Sequence, residues 1–318
     1  MLRRCFRLCG VPFIGNANAH AQTVDFHEWQ RAKRNPGIPR RQRDEMTNIV
    51  LFHESKAVQI YSRAHCNNFN SNQYLVLSRL QTGSEPKQAI LIDMGDDWPD
   101  DWHIFLQNAN CELRYVFFTH LHIDNLLGLH PFCHMRKQNN LPTCFAYNPC
   151  DAGWMEKWQT VCHRYRREDL VNVQMPLPRY NQIGGQGKGD LLLDCLSQRF
   201  ESFFQLGELP CQYIHTPGHA QGHMMLYLPT ERVLFSGDNL FRNSIGRVDL
   251  PFACGDQLAH SLRMLEAFPE DVTVLPGHGK PTTLGHERIH NVQLRRVYEL
   301  MNAGFQLPKV GLNKTGYF

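Results

Sequence analysis

Short apolar runs separated by polar and glycine-bearing turns recur along the chain from Met46 onward. Residues 48–52 (NIVLF), 57–62 (AVQIYS) and 74–80 (YLVLSRL) read as strands bounded by Asn, Gln and Ser stretches. Residues 89–95 (AILIDMG) read as a buried strand ending in a glycine turn, and 113–120 (LRYVFFTH) as an apolar strand that runs straight into polar residues. Runs at 143–148, 211–218, 223–229, 232–238 and 272–279 predict five more strands. Helical spacing covers 97–108, 152–168, 255–268 and 284–303. In the last, Ile289, Val292 and Val297 are the apolar positions, and Glu287, Arg288, Arg295, Arg296 and Glu299 line the polar side. Strand runs mixed with helices predict sheets packed between helices, an α/β architecture. No repeat at a fixed period is present, although two strand-rich halves meet near residue 200. The four glycines of 181–190 (NQIGGQGKGD) predict a flexible surface loop.

Composition narrows the class. The chain has 318 residues, 42% hydrophobic and 11% aromatic, which excludes a disordered, collagen-like or coiled-coil protein. No apolar run of roughly 18 residues predicts a membrane-spanning helix. Eleven cysteines without a C-x-x-C pair fit a reducing compartment, with Cys133, Cys144, Cys150 and Cys162 expected as buried thiols. Trp98, Trp102, Trp154 and Trp158 are expected in the core or between helices.

The net charge of +3 hides an asymmetry. Residues 1–43 carry Arg3, Arg4, Arg7, Arg31, Lys33, Arg34, Arg40, Arg41 and Arg43 against only Asp25 and Glu28. The opening, MLRRCFRL, is rich in arginine with no acid before Asp25, and it resembles a mitochondrial presequence. A mitochondrial location is therefore expected. Residues 29–43 (WQRAKRNPGIPRRQR) read as an exposed arm, either a solvated charge run or a contact for RNA or a ribonucleoprotein. The expected division is an extension over 1–45 and a folded domain over 46–318.

Candidate chemistry sits at strand ends. Thr119-His120-Leu121-His122-Ile123-Asp124-Asn125 follows the strand at 113–120 directly. A chain leaving a strand can aim two imidazoles at one point, with a carboxylate two residues on, and these are ordinary zinc or iron ligands. His215-Thr216-Pro217-Gly218-His219, Ser236-Gly237-Asp238 and Pro276-Gly277-His278-Gly279 end three further strands. Each sets a His or Asp beside a glycine, where the chain can turn sharply.

These four motifs, in this order, resemble the metallo-β-lactamase superfamily. Residues 235–251 (FSGDNLFRNSIGRVDLP) and 275–291 (LPGHGKPTTLGHERIHN) are more narrowly similar to single-domain glyoxalase II-like, or hydroxyacylglutathione hydrolase-like, enzymes. The resemblance spans about residues 48–291. It implies an αββα sandwich with an N-terminal extension, a metal at one sheet edge, and no glutathione-binding helical domain. Position by position it implies His120, His122 and His219 at a first metal site, Asp238 as a bridge, and Asp124 and His278 at a second. Asn125 stands where the family has a histidine, so the second site is expected to be weakened. The implied cofactor is zinc, one or two ions per chain, with ferrous iron as the alternative.

The implied reaction is hydrolysis of a small-molecule thioester by a water whose pKa a metal lowers toward about 7. Asp124 and Asp238 are the candidate catalytic carboxylates, and Arg247 is the candidate partner for a substrate carboxylate or, equally, half of a surface ion pair. Two alternatives remain. The superfamily also includes mononuclear iron persulfide dioxygenases, whose two-His, one-Asp triad corresponds to His120, His219 and Asp238. The weakened site and the basic arm also suit a scaffold or assembly factor in a mitochondrial ribonucleoprotein. His130, His134, His163, His223, His260, His286 and His290 are expected as surface or satisfied polar residues, with His215 and His223 as candidate outer donors to the site.

Overall fold

The computed structural model describes residues 49–80, 86–95, 99–139, 141–172, 191–192 and 203–303. The arginine-rich opening expected as a presequence, the basic run 29–43, Trp98 and the glycine-rich run lie outside the described residues. Two sheets form the centre. The first runs in chain order: β1 (Val50–Glu54), β2 (Val58–Arg63), β3 (Gln73–Ser78), β4 (Lys87–Ile92), β5 (Cys111–Phe117), β6 (Cys144–Tyr147) and β7 (Leu191–Leu192). β1 to β4 pair antiparallel, and β4 to β7 pair parallel.

The second sheet contains β8 (Phe203–Leu206), β9 (Leu209–His215), β10 (Met224–Leu228), β11 (Val233–Gly237), β14 (Thr273–Pro276) and β15 (Thr282–Thr283). Its order is β15-β14-β11-β10-β9-β8, with β11 and β14 parallel and the other pairs antiparallel. A small ribbon, β12 (Leu240–Phe241) and β13 (Ser244–Ile245), follows β11.

Strands with both faces covered read as continuous apolar runs, and β3, buried at all six positions, is one. Its alternation sorts the layers. Tyr74 and Val76 join Ile90, Ile92 and Phe117 against Leu226, Phe235 and Leu275 of the second sheet. Leu75 and Leu77 face the other way, onto a cluster with Trp102, Leu106, Phe132, Trp154 and Trp158. The latter come from α1 (Pro99–Asn108), α2 (Leu129–Gln138), α3 (Ala152–Glu156) and α4 (Trp158–Arg164). On the far side, Ile214, Met225, Leu234 and Val274 pack on Leu258, Leu262, Leu284 and Leu294. Those residues belong to α5 (Gly255–Met264), α6 (Leu284–His290) and α7 (Val292–Asn302). The result is the expected αββα sandwich. Burying one side chain of the Val-to-Phe class contributes about 1.5–3 kcal/mol, so three continuous cores hold the sheet edges firmly.

Several expectations need correction. Residues 152–168 form two short helices and a turn. Residues 284–303 break into α6 and α7, because Asn291 adopts extended backbone and its side chain accepts from the Leu294 N–H, starting a new helix. The break shifts the helical phase and leaves Ile289 and Val292 62% and 72% exposed. Helix α2 escaped the periodicity because only Leu129, Phe132 and Met135 of its ten residues are buried, with Pro131 in the first turn. Strands β7, β8, β12, β13 and β15 were also unforeseen; all are four residues or shorter. Cys162 is buried as expected, but Cys133 and Cys144 are half-buried and Cys150 is exposed. No helix among the described residues is long and apolar enough to cross a membrane.

Helix α6 carries a testable cap. The Thr283 hydroxyl accepts the His286 N–H at 3.1 Å. Thr283→Ala is expected to lower stability by about 1 kcal/mol, read as a shifted urea midpoint with an unchanged slope.

Candidate metal centre

The parallel pairs bring strand C-terminal ends to a common edge. The turns after β5, β9, β11 and β14 carry the four motifs there. Main-chain bonds join the two sheets at this edge: Met224 N–H donates to Thr119 O at 2.7 Å, and Asn72 N–H to Gly277 O at 2.7 Å. The turns themselves need glycine. Gly237, with φ +50°, swings Asp238 inward, and a Cβ on Gly277 would lie 2.3 Å from Asp238 Oδ1.

Two side-chain groups result. His120, His122 and His219 form one; Asp124, Asp238 and His278 form the other, with donor atoms in each within 4.8 Å of one another. His219 Nε2 lies 3.1 Å from His122 Nδ1 and 3.5 Å from Asp238 Oδ2. His120 Nε2 lies 3.9 Å from the same oxygen. In the second group His278 Nε2 is 3.1 Å from Asp124 Oδ2 and 3.4 Å from Asp238 Oδ2. Asp238 Oδ2 thus stands between the groups.

Electrostatics follow from burial. Desolvation, reinforced by the neighbouring imidazoles, holds His120 well below the usual histidine range. Burial and then His219 push His122 down to about 3. Both rings are therefore neutral at physiological pH, with lone pairs available to a cation. His278 goes the other way: burial opposes its charge, but hydrogen bonds to Asp124 and Asp238 outweigh it and raise the ring to about 11. Burial likewise opposes ionisation of Asp124, and the His278 and Ser71 contacts overcome it, leaving the carboxyl below its ordinary value. Imidazoles and carboxylates crowded this closely, without lysine or arginine among them, suit a divalent cation.

The supporting residues are mostly ones that sequence reasoning missed. Ser71 Oγ donates to Asp124 Oδ2 at 2.9 Å. The Asn67 amide donates to Gly95 O and to Asp124 O, at 2.8 and 3.0 Å. Asp93, which burial holds protonated more readily than an ordinary carboxyl, accepts from the Thr119 N–H at 2.8 Å and the Thr119 hydroxyl at 2.9 Å. Asp151 accepts from the Leu121 and Gly222 N–H groups. The available signal for Asp93 was a carboxylate closing an apolar strand.

His223 is not a surface residue. It is fully buried, and its Nε2 accepts the Asp238 N–H at 3.0 Å while Nδ1 lies 2.9 Å from Thr216 Oγ1. It acts as an outer support, as the alternative expectation had it. His215, also buried, holds Gln221 O at 2.9 Å. His219 Nδ1 lies 2.9 Å from Arg247 O. So Arg247 serves this site through its main chain, while its guanidinium makes a bidentate pair with Asp249 at 2.7 and 2.6 Å. The Asn125 amide sits 3.1 Å from His120 Nδ1, beside the first group. The Trp154 ring stands edge-to-face on His122, 4.5 Å between centroids.

Comparison with known proteins bears on this centre. Residues 152–278 match the profile of the metallo-beta-lactamase superfamily. A probable metallo-hydrolase of Streptococcus pyogenes is 32% identical over 118 residues, which is 35% of this chain and 51% of that protein. The hydroxyacylglutathione hydrolase GloC of Haemophilus influenzae is 26% identical over 65% of this chain and 87% of its own length. The chain spans about half or less of the length of the first two curated relatives it matches. Among solved structures, TTHA1623 in a di-iron-bound form is 29% identical, with a TM-score of 0.53 over 72% of this chain and 97% of that one.

Proposed function

From a chain that carries a metallo-beta-lactamase superfamily domain, we propose a metal-dependent hydrolase that opens thioesters of the hydroxyacylglutathione type. The observation that carries this reading is the shared carboxylate, with Asp238 Oδ2 3.5 Å from His219 and 3.4 Å from His278. His120, His122, His219 and Asp238 would hold the first ion. Asp124, Asp238 and His278 form the second position, which Asn125 leaves without an imidazole. Zinc is the assigned ion, because neutral imidazoles are its ordinary ligands, and ferrous iron is the alternative.

A bound divalent ion supplies Lewis acidity toward water and toward a carbonyl oxygen. The chain's own residues do the rest. Asp124 and Asp238 orient a water and accept its proton at a carboxylate oxygen. Ser71 fixes which Asp124 oxygen faces the centre. Arg247, exposed at the rim, exchanges Asp249 for a substrate carboxylate. A thioester suits the site, since a thiolate leaves with little need of a proton donor. The match to a hydroxyacylglutathione hydrolase over most of that protein supports the substrate class.

The test is metal analysis of protein purified without chelator, together with hydrolysis of an S-hydroxyacylglutathione. About one ion per chain is expected, with hydrolysis lost on chelation and restored by zinc. Failure to retain any metal after zinc loading overturns the reading. Oxygen uptake with glutathione persulfide and ferrous iron, in place of hydrolysis, moves the chain to the dioxygenases.

A further inference from the structure

The segment carrying His120 and His122 is gripped by two buried carboxylates. Asp93 takes the N–H of the residue before His120, and Asp151 takes the N–H of the residue after it. The second carboxylate does more. Asp151 lies between β6 and α3, away from both ligand loops in sequence. Its Oδ2 accepts from Leu121 N–H at 3.1 Å, and its Oδ1 accepts from Gly222 N–H at 2.6 Å. Leu121 sits between His120 and His122, and Gly222 lies three residues after His219.

We propose that Asp151 is a positioning residue of the metal centre, whose carboxylate sets the spacing between His122 and His219 by holding the main chain of both loops. The proposal rests on the metal-centre reading above. A carboxylate 1% exposed is costly to bury, and no lysine or arginine among the described residues is paired with it. Two main-chain donors are what compensate the burial. Only a carboxylate offers an acceptor to both: an asparagine amide would turn its NH2 toward one of the two N–H groups. The fit is close, because a Cβ on Gly222 would lie 2.8 Å from Asp151 Cγ. The same turn feeds α3, whose Trp154 packs on His122, so the carboxylate ties the ligand loops to the wall beside them.

The experiment compares the full-length protein with Asp151→Asn. Zinc affinity is measured by chelator competition, and the cobalt-loaded absorption spectrum reads ligand geometry. Zinc binding is expected to weaken about 10–100-fold, the usual cost of losing an outer partner. The cobalt bands are expected to shift at full loading, which a loss of stability alone would not cause. Affinity within about twofold of wild type, with an unchanged spectrum, overturns the proposal. A variant that does not fold leaves the question to the wild-type protein, through amide hydrogen exchange at Leu121 and Gly222. Slow exchange in both zinc-free and zinc-loaded protein supports prior positioning by Asp151. Exchange that is fast without zinc and slows only on its addition overturns it. A wild-type protein that takes up no metal refutes the metal-centre reading itself, a result distinct from equal affinities in the two proteins.

Discussion

His219→Ala is expected to weaken binding of the first ion by more than about 100-fold and to bring thioester hydrolysis to background. Loss of an outer-shell partner alone costs about 10–100-fold, and loss of a direct ligand exceeds it. His219 is the imidazole that reaches both neighbours, 3.1 Å from His122 Nδ1 and 3.5 Å from Asp238 Oδ2. Its other nitrogen is anchored on Arg247 O, which fixes the ring between those two partners. His215 and His223, four residues to either side, are committed elsewhere, His215 to Gln221 O and His223 to Asp238 N–H and Thr216. The measurements are metal retained against a chelator and the initial hydrolysis rate, with circular dichroism to establish that the variant is folded. Hydrolysis near the wild-type rate in a folded His219→Ala protein is incompatible with the proposed mechanism.

Asn125→His is expected to raise affinity at the second position by about 10–100-fold, taking occupancy from about one ion per chain toward two. Asp124, Asp238 and His278 already supply two carboxylates and an imidazole within mutual reach. An amide adds a weak neutral donor, whereas an imidazole adds a good one. Position 125 adjoins Asp124 in the short turn Ile123–Asn125 and is buried, so the larger imidazole has to leave the contact that the amide makes with His120 and turn toward Asp124. Metal analysis under zinc titration checks the result. Unchanged stoichiometry would mean that residue 125 does not face the second position.

The sandwich was legible because its central strands are buried on both faces. Tyr74 to Leu77 and Ala89 to Ile92 announce themselves as apolar runs, whatever packs on them. The motif residues were legible for a related reason. A histidine or aspartate placed where an apolar strand gives way to glycine has few other uses, and all six candidate ligands fall into the two groups found. Less was legible where neighbours distant in sequence decide the outcome. Nothing local distinguishes buried His223 from exposed His260, or marks Arg247 as useful through its carbonyl rather than its guanidinium. The break at Asn291 depended on a side-chain cap that competes with a favourable helical run.

The sequence by itself determined the strand pattern, the four motifs and the choice of ligand types, since hydrophobic period and residue chemistry are local properties. Tertiary structure alone decided that Asp238 stands between two groups, that Asn125 rests beside His120, and that Asp151 joins two loops. Each of those depends on where unrelated strand ends meet across the sandwich, and that distance is set by packing of whole sheets, which no window of neighbouring residues contains.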